Sequence, residues 1–390
     1  GFIISASLSS FIVMLAAWVN KPIEDRIQEG FKQQARQKLK ALKHLKTIAI
    51  TGSYGKTSVK FMIQAILRTR YQVCYTPGSF NTPMGICKVI NNDLNASHQI
   101  LILEMGARYV GNIEELTQIA RPNLSVVTNV GYAHLETFGS QDAIAHTKGA
   151  IVRALKEGET AILNADDSRV SNMGENQPIK RLLCGFESGS FKAENIRYGI
   201  QGCSFDLIHE GNSYAFHTPL LGKHNISNLL YAIAVGYEFG IRIEAMIPVA
   251  AKLQPTEHRL QLKKAGDLLV IDDAFNSNPV GATNAVDILA SFDSGNRYLI
   301  TPGMVELGDR ETEENFKWGK HIGQAQLDQV LLVGKKRTEP IYDGIKESGF
   351  DLAKVQVVNS LFEANDWLHA NKSPGDVVLY ENDLPDTYNE

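Results

Sequence analysis

The sequence predicts an α/β protein: a mostly parallel sheet built around one strand–loop–helix unit, then a smaller α/β unit, with an apolar helix ahead of both. Three observations predict it. Across TIAITGSYGKTSVKFMIQAIL, residues 47–67, a short apolar strand, a glycine-bearing loop and an amphipathic helix follow one another. Apolar strands then alternate with helical segments, the rhythm of βαβ units. Residues 2–19, finally, carry no charge and are mostly apolar.

A chain of 390 residues, 44% hydrophobic and 21% charged, is ordinary for a globular protein of more than one domain. We divide it into an apolar segment with a linker helix (1–46), a central unit (47–253) and a C-terminal unit (254–390). The net charge of −4 argues against nucleic acid as a partner. Cys74, Cys87, Cys184 and Cys203 are scattered with no CxxC pair, which argues against a disulfide framework or a zinc site.

Taken in order, residues 2–19 sit at the lower edge of membrane-spanning length. Serines at 5, 7, 9 and 10 leave a buried core helix as the alternative. Lys21, Arg26, Lys32, Arg36, Lys38, Lys40, Lys43 and Lys46 follow, against Glu24, Asp25 and Glu29. That bias places the rest of the chain on the cytoplasmic face of the cell membrane. Residues 23–46 read as a basic, exposed helix, lying on anionic lipid or serving as a solvated linker.

Residues 48–50 form the first strand. Gly52-Ser53-Tyr54-Gly55-Lys56-Thr57 then reads as a shortened phosphate loop. The generic pattern has four residues between its first glycine and the Gly-Lys pair; here there are two. Backbone N–H groups freed by glycine, together with a helix N-terminus, make a cradle for polyphosphate. Lys56 supplies a charge for the β- and γ-phosphates and Thr57 a hydroxyl for Mg²⁺. Strands follow at 99–103, 124–129 and 160–163, with a helix at 141–155. Residues 181–216 read as an antiparallel patch and 229–239 as a helix. A boundary falls at 253–255, and strands at 268–271, 297–301, 329–333, 355–358 and 376–379 make a second, Rossmann-like unit.

Three polar residues stand near these strand ends. Glu104 closes the run 100–103, His134 lies in the loop after 124–129, and Lys148 sits on the next helix. A carboxylate beside a phosphate loop is placed to hold Mg²⁺, and an imidazole a second divalent ion. Singly, each reads equally as a cap, a loop hydrogen-bonder or a solvated charge.

Together they fall into a pattern. TGSYGKTS, NTPMG (81–85), LEMGA (103–107), TNVGYAHLETFGS (128–140), AHTKG (145–149), LNADD (163–167), GKHNISN (222–228), EHR (257–259) and IDDAFNSNP (271–279) occur in the order found in Mur ligases. The chain resembles that family over about residues 45–332, most closely its dipeptide-adding branch in peptidoglycan synthesis. The resemblance implies an ATP-dependent ligase that forms an amide bond through an acyl phosphate. A carboxylate-bearing cell-wall precursor, lipid-linked if the tether is real, would accept an amino acid or D-alanyl-D-alanine. ATP would rest on Gly52, Ser53, Gly55, Lys56 and Thr57, with Asn225 at the adenine, Arg259 at the phosphates and Asp273 at the ribose. Thr57 and Glu104 would hold a first Mg²⁺. His134 and a carbamylated Lys148 would hold a second. Lys56, His134 and Lys148 are the catalytic set; Asn81, Thr82 and Asn276 would face substrate.

Departures qualify the match. Residues 1–46 leave no room for a UDP-gripping domain. Ala150 follows the lysine motif where relatives carry glutamate. The tail reads Tyr380-Glu381-Asn382-Asp383 in place of a lysine-glycine-serine-arginine pattern. Two other readings stay open: a ligase that polymerises an amino acid, of the poly-γ-glutamate or cyanophycin type, and a nucleotide-binding membrane scaffold.

Overall fold

The structure is a computed structural model. It describes residues 2–132, 135–199, 202–255, 260–274, 278–293, 295–305 and 307–382, with side chains from Asn20 onward except that of Glu136.

Helix α1 (Phe2–Ala41) leads into β1 (Lys46–Thr51), α2 (Lys56–Leu67), β2 (Val73–Tyr75), α3 (Pro83–Lys88), β3 (Ile100–Glu104), α4 (Asn112–Ile119) and β4 (Leu124–Val127). Then come α5 (Leu135–Phe138), α6 (Gln141–Arg153), β5 (Thr160–Asn164), α7 (Ser168–Ser171), β6 (Lys180–Gly185), β7 (Phe191–Gly199), β8 (Gly202–His209), β9 (Asn212–Thr218), α8 (Lys223–Glu238) and α9 (Ile243–Ala250). These strands form one nine-stranded sheet in the order β2-β3-β1-β4-β5-β6-β7-β8-β9. Neighbours are parallel from β2 through β7. Ile48, Ala49 and Ile50 of β1 are fully buried, as expected of a strand covered on both faces. Ile63 and Ile66 of α2 pack with Leu230 and Ile233 of α8 in the core on one side. Leu101 and Leu103 meet Ile113, Ile144 and Ile151 in the core on the other.

The second sheet holds β10 (Gln261–Ala265) and β11 (Leu268–Asp273). After α10 (Pro279–Ala290) come β12 (Arg297–Thr301), α11 (Glu311–Gln324), β13 (Gln329–Val333), α12 (Lys335–Glu347), β14 (Val355–Val358), α13 (Leu361–Asn371) and β15 (Val377–Glu381). Its order is β10-β11-β15-β12-β13-β14. Among the described strands of this sheet, only the β10–β11 pair is antiparallel.

The α/β reading holds, with local differences. The start of the patch read as antiparallel is β6, which pairs parallel to β5; the antiparallel meander is β7 to β9. Helix α8 begins at Lys223, ahead of the apolar run that signalled it, with Gly222 (φ +91°) at its N-cap. Strand β4 ends at Val127, which releases Thr128 and Asn129 for other contacts. β10 escaped notice because Lys263 and Lys264 break its apolar pattern.

The N-terminal helix also differs. It runs unbroken from Phe2 to Ala41, and its second half is a docked helix, neither a solvated linker nor wholly exposed. Ala35 is fully buried. Lys32 Nζ donates to Glu115 Oε1 at 2.6 Å, Arg36 Nε to the Gln118 carbonyl at 3.2 Å and Lys38 Nζ to the Asn91 carbonyl at 2.8 Å. The expected span, residues 2–19, is helical in backbone, but its side chains lie outside the described residues. Among the described residues no helix is long and apolar enough to cross a membrane.

In the second unit, α11 and α12 touch through glycine. A Cβ on Gly344 would lie 2.2 Å from the Phe316 carbonyl oxygen, and one on Gly319 would lie 2.2 Å from the Ile341 carbonyl oxygen. Neither backbone atom can move aside, so Gly344→Ala should destabilise the protein by about 1–3 kcal/mol, the usual cost of overpacking. Urea denaturation reads that change; an unaltered midpoint would mean that the helices part freely.

Candidate active site

Parallel pairing decides where the chemistry sits. Ile50 is in register with Glu104, and Thr51 with Val127, so the C-terminal ends of β1, β3 and β4 open onto one edge. Ligands of open α/β sheets bind at that edge.

The loop between β1 and α2 is held from β4. Ser53 N donates to the Asn129 carbonyl at 3.0 Å and Tyr54 N to Asn129 Oδ1 at 2.9 Å. Thr128 Oγ1 donates to the Tyr54 carbonyl at 2.6 Å, and Gly131 N to Ser53 Oγ at 2.8 Å. Gly52 is needed by close approach: a Cβ there would fall 1.9 Å from Thr128 Oγ1. Gly55 is needed by conformation, at φ +81°, and α2 starts from it with no side-chain cap. The start of α2 is thus a helix N-terminus without a capping side chain, the kind of terminus that binds an anion. Lys56 Nζ curls over the loop, donating to the Gly52 and Ser53 carbonyls at 2.9 and 3.3 Å.

Next to the loop, Glu104 is a buried carboxylate at the end of β3. Its Oε2 accepts from Thr57 Oγ1 at 3.0 Å and Lys60 Nζ at 3.1 Å; its Oε1 accepts from Asn81 Nδ2 at 3.1 Å. A hydroxyl and a carboxylate in contact are the hard oxygen donors that Mg²⁺ takes. The residues fit that ion. Thr82 caps α3, its Oγ1 accepting from Gly85 N at 3.2 Å. One cleft of about 460 Å³ is lined by Gly52 to Thr57, Asn81, Thr82, Glu104 and Lys148. Residues singled out at four separate stretches of sequence thus line one cleft.

Lys148 enters this cleft from α6, which Ser140 caps through its Oγ at 3.1 Å from Ala143 N. Burial, then the charge of Lys56, holds its amine well below the usual lysine range. Among the described residues no carboxylate lies within ion-pair distance of it.

A second cleft, about 500 Å³, lies between the two sheets. Tyr54, Asn129, Asp166, Asp167, His224 and Asn228 line one side, Asp273 and Asn278 the other. Asp273 closes β11 and accepts from Leu260 N through Oδ1 at 2.9 Å. Asn225 is not in this cleft. It lines a cavity of about 970 Å³ beside α2, and its Nδ2 donates to the Leu221 carbonyl at 2.8 Å. Asn228, three positions further along α8, does reach the cleft. His134, Arg259 and Asn276 lie outside the described residues.

Residues 50–236 match the Mur ligase middle domain and residues 258–380 the Mur ligase glutamate ligase domain. The chain belongs to the Mur ligase family. It is 32% identical over 341 residues to the UDP-N-acetylmuramoyl-tripeptide–D-alanyl-D-alanine ligase of Bacillus subtilis, spanning 86% of this chain and 72% of that one. The corresponding Escherichia coli ligase is 32% identical over 326 residues, spanning 83% and 67%. The fold matches MurF from Acinetobacter baumannii with a TM-score of 0.82 at 25% identity, covering 91% of this chain and 77% of that one. MurF from Thermotoga maritima in complex with ADP gives 0.81 at 25% identity, covering 91% and 80%. This Mur ligase is an ATP-dependent enzyme that forms amide bonds, with ATP and Mg²⁺ as its cofactors.

Sequence reasoning missed Lys60. In this Mur ligase it is fully buried on α2, one turn beyond Lys56, and pairs with Glu104. Its signal was available: a lysine on the apolar face of an amphipathic helix needs a partner.

Two outcomes are expected here. Lys56→Ala should slow phosphoryl transfer by about 10² or more, by analogy with the loss of one transition-state donor; rapid-quench phosphate release at saturating ATP measures it. For Lys148, the folded chain disfavours the ammonium, while the unfolded chain protonates it below about pH 10.4. The unfolded state therefore binds the extra proton at neutral pH, and Lys148 costs stability there. Lys148→Met should raise the melting temperature at pH 7 in bicarbonate-free buffer, with the gain shrinking by pH 10. Equal gains at both values would show an ordinary, charged lysine.

Proposed function

We propose that this ligase joins D-alanyl-D-alanine to the carboxylate of a muramoyl-tripeptide precursor at the cytoplasmic face of the membrane. The carrying observation is the single cleft that gathers Lys56, Thr57, Glu104, Asn81, Thr82 and Lys148. The substrates are those named for the Bacillus relative, which this chain matches over most of its length.

In this reading the loop amides and Lys56 bind the β- and γ-phosphates and orient the γ-phosphoryl group toward the precursor. Asn81 and Thr82, at the start of α3, hold the precursor on the far side of Glu104. Thr57 and Glu104 would hold the first Mg²⁺; bound there, the ion spreads the charge of the transferring phosphoryl group. Lys148 is the residue to carry a carbamate. That modification needs a neutral amine, and burial with Lys56 nearby supplies one. The carbamate and His134 would hold a second ion. Asp273 and Asn228 take the nucleoside side, and Arg259 the phosphates. After the acyl phosphate forms, the incoming amine attacks its carbonyl, and phosphate leaves.

The uncharged residues 2–19 with basic residues after them support a membrane tether, and a tether favours a lipid-linked form of the precursor by raising its effective concentration. Removing residues 2–19 alone keeps the docked half of α1 and should lower turnover on a lipid-linked precursor while sparing a soluble one.

Phosphate release from ATP and Mg²⁺ tests the reaction. It should require both a muramoyl-tripeptide and D-alanyl-D-alanine. Release with another amine would keep the chemistry and replace the dipeptide. Ladders of product from one amino acid would establish a polymerising ligase instead. Tight ATP binding with no release from any pair would overturn the ligase reading of the cleft.

A further inference from the structure

Lys60 joins three parts of the site that the sequence keeps apart. It lies on α2, fully buried, and its ammonium reaches Glu104 Oε2 on β3 at 3.1 Å. The same Nζ donates to the Gly78 carbonyl, in the loop between β2 and α3. It also lies 4.9 Å from the centre of the Phe61 ring, which shields it from solvent. That loop carries Ser79, Asn81 and Thr82, all of which line the cleft. Asn81 in turn donates to the other oxygen of Glu104 at 3.1 Å, and its carbonyl accepts from Gly106 N at 2.9 Å.

We infer that Lys60 is a positioning residue that ties the substrate-facing loop 77–82 to the metal carboxylate Glu104. It does not itself line the cleft. A buried ammonium is stable only where its hydrogen bonds are met, and here two are met by groups on different elements. The Gly78 carbonyl and Glu104 Oε2 are therefore held at a distance set by one nitrogen. Asn81 makes the return link from loop to carboxylate, so carboxylate and loop move together. Occupancy of Glu104 by an ion is in this way coupled to the wall that receives the precursor. A neutral residue of similar length at position 60 keeps the packing and loses both bonds.

The inference rests on Glu104 as the metal carboxylate but not on the identity of the precursor. Hydrogen exchange tests it on the ligand-free protein in EDTA, with no turnover involved. In Lys60→Met, amide exchange across residues 78–82 should rise about tenfold or more, as expected when a charge-assisted hydrogen bond is lost, while exchange in α8 stays unchanged. Lys60→Met leaves a buried carboxylate without its cation, so a second variant guards against misfolding. Lys60→Met/Glu104→Gln removes both charges and should show the same faster exchange. Glu104→Gln alone keeps the bond from Lys60 to Gly78 and should not. Unchanged exchange in the double variant, or equal acceleration by Glu104→Gln alone, overturns the inference. In turnover, Lys60→Met should raise the KM for UDP-N-acetylmuramoyl-tripeptide while leaving the affinity for ADP in EDTA unaltered; a uniform loss of kcat matching the folded fraction would mark a purely structural lysine. No turnover of that precursor by the wild type would remove the proposed acceptor and leave the exchange result standing.

Discussion

The hydrogen bonds from Thr128 and Asn129 to the loop 53–54 are the constraint on which the rest of the site depends. A loop of this length has few internal contacts, and its carbonyls and amides would otherwise face water. The end of β4 satisfies several of them at once, through Tyr54 N, the Tyr54 carbonyl and Ser53 N. Because β4 is in register with β1, the loop has one position relative to the sheet. The start of α2 follows from it, and with α2 come Lys56, Thr57 and Lys60. Ending β4 at Val127 is what makes this possible, since a longer strand would spend those groups on sheet pairing.

The site is layered by distance from that loop. Nearest are groups that can hold phosphate. Then comes Glu104, enclosed by hydroxyl, ammonium and amide donors. Lys148, on α6, is buried with the like charge of Lys56 near it, so its amine is pushed toward the neutral form. An amine pushed toward the neutral form is what the proposed carbamate needs, since only the neutral amine is a nucleophile for carbon dioxide.

Much of this was legible from residues alone. The glycine loop, its strand and its helix were readable because each obeys a local rule: apolar period, φ freedom, helix start. Glu104 was readable because a charge at the end of a buried strand is conspicuous. The errors have physical sources too. The start of α8 was hidden by its polar first turn, Lys223 to Asn225, which looks like loop until Gly222 is seen to lead it. That same turn determines which asparagine lines the cleft between the two sheets: Asn228 does, while Asn225 lines the cavity beside α2. Lys60 could be seen to need a partner, but its partners come from residue 104 and residue 78, contacts that no sequence window contains. The docking of α1 was equally invisible, since its lysines look solvated until Glu115 and Asn91 are brought to them.

That docking has a geometrical consequence. Lys32 on α1 is bonded to Glu115, which itself lines the cleft. The helix is continuous back through Val19, so at a rise of 1.5 Å per residue the contact stands about 20 Å along the axis from the end of the uncharged run. The α1 helix is thus a ruler as well as a leader: it sets both the stand-off and the heading of the cleft mouth relative to its own first turns, and lengthening it by one residue would swing that mouth by about 100° around the helix axis.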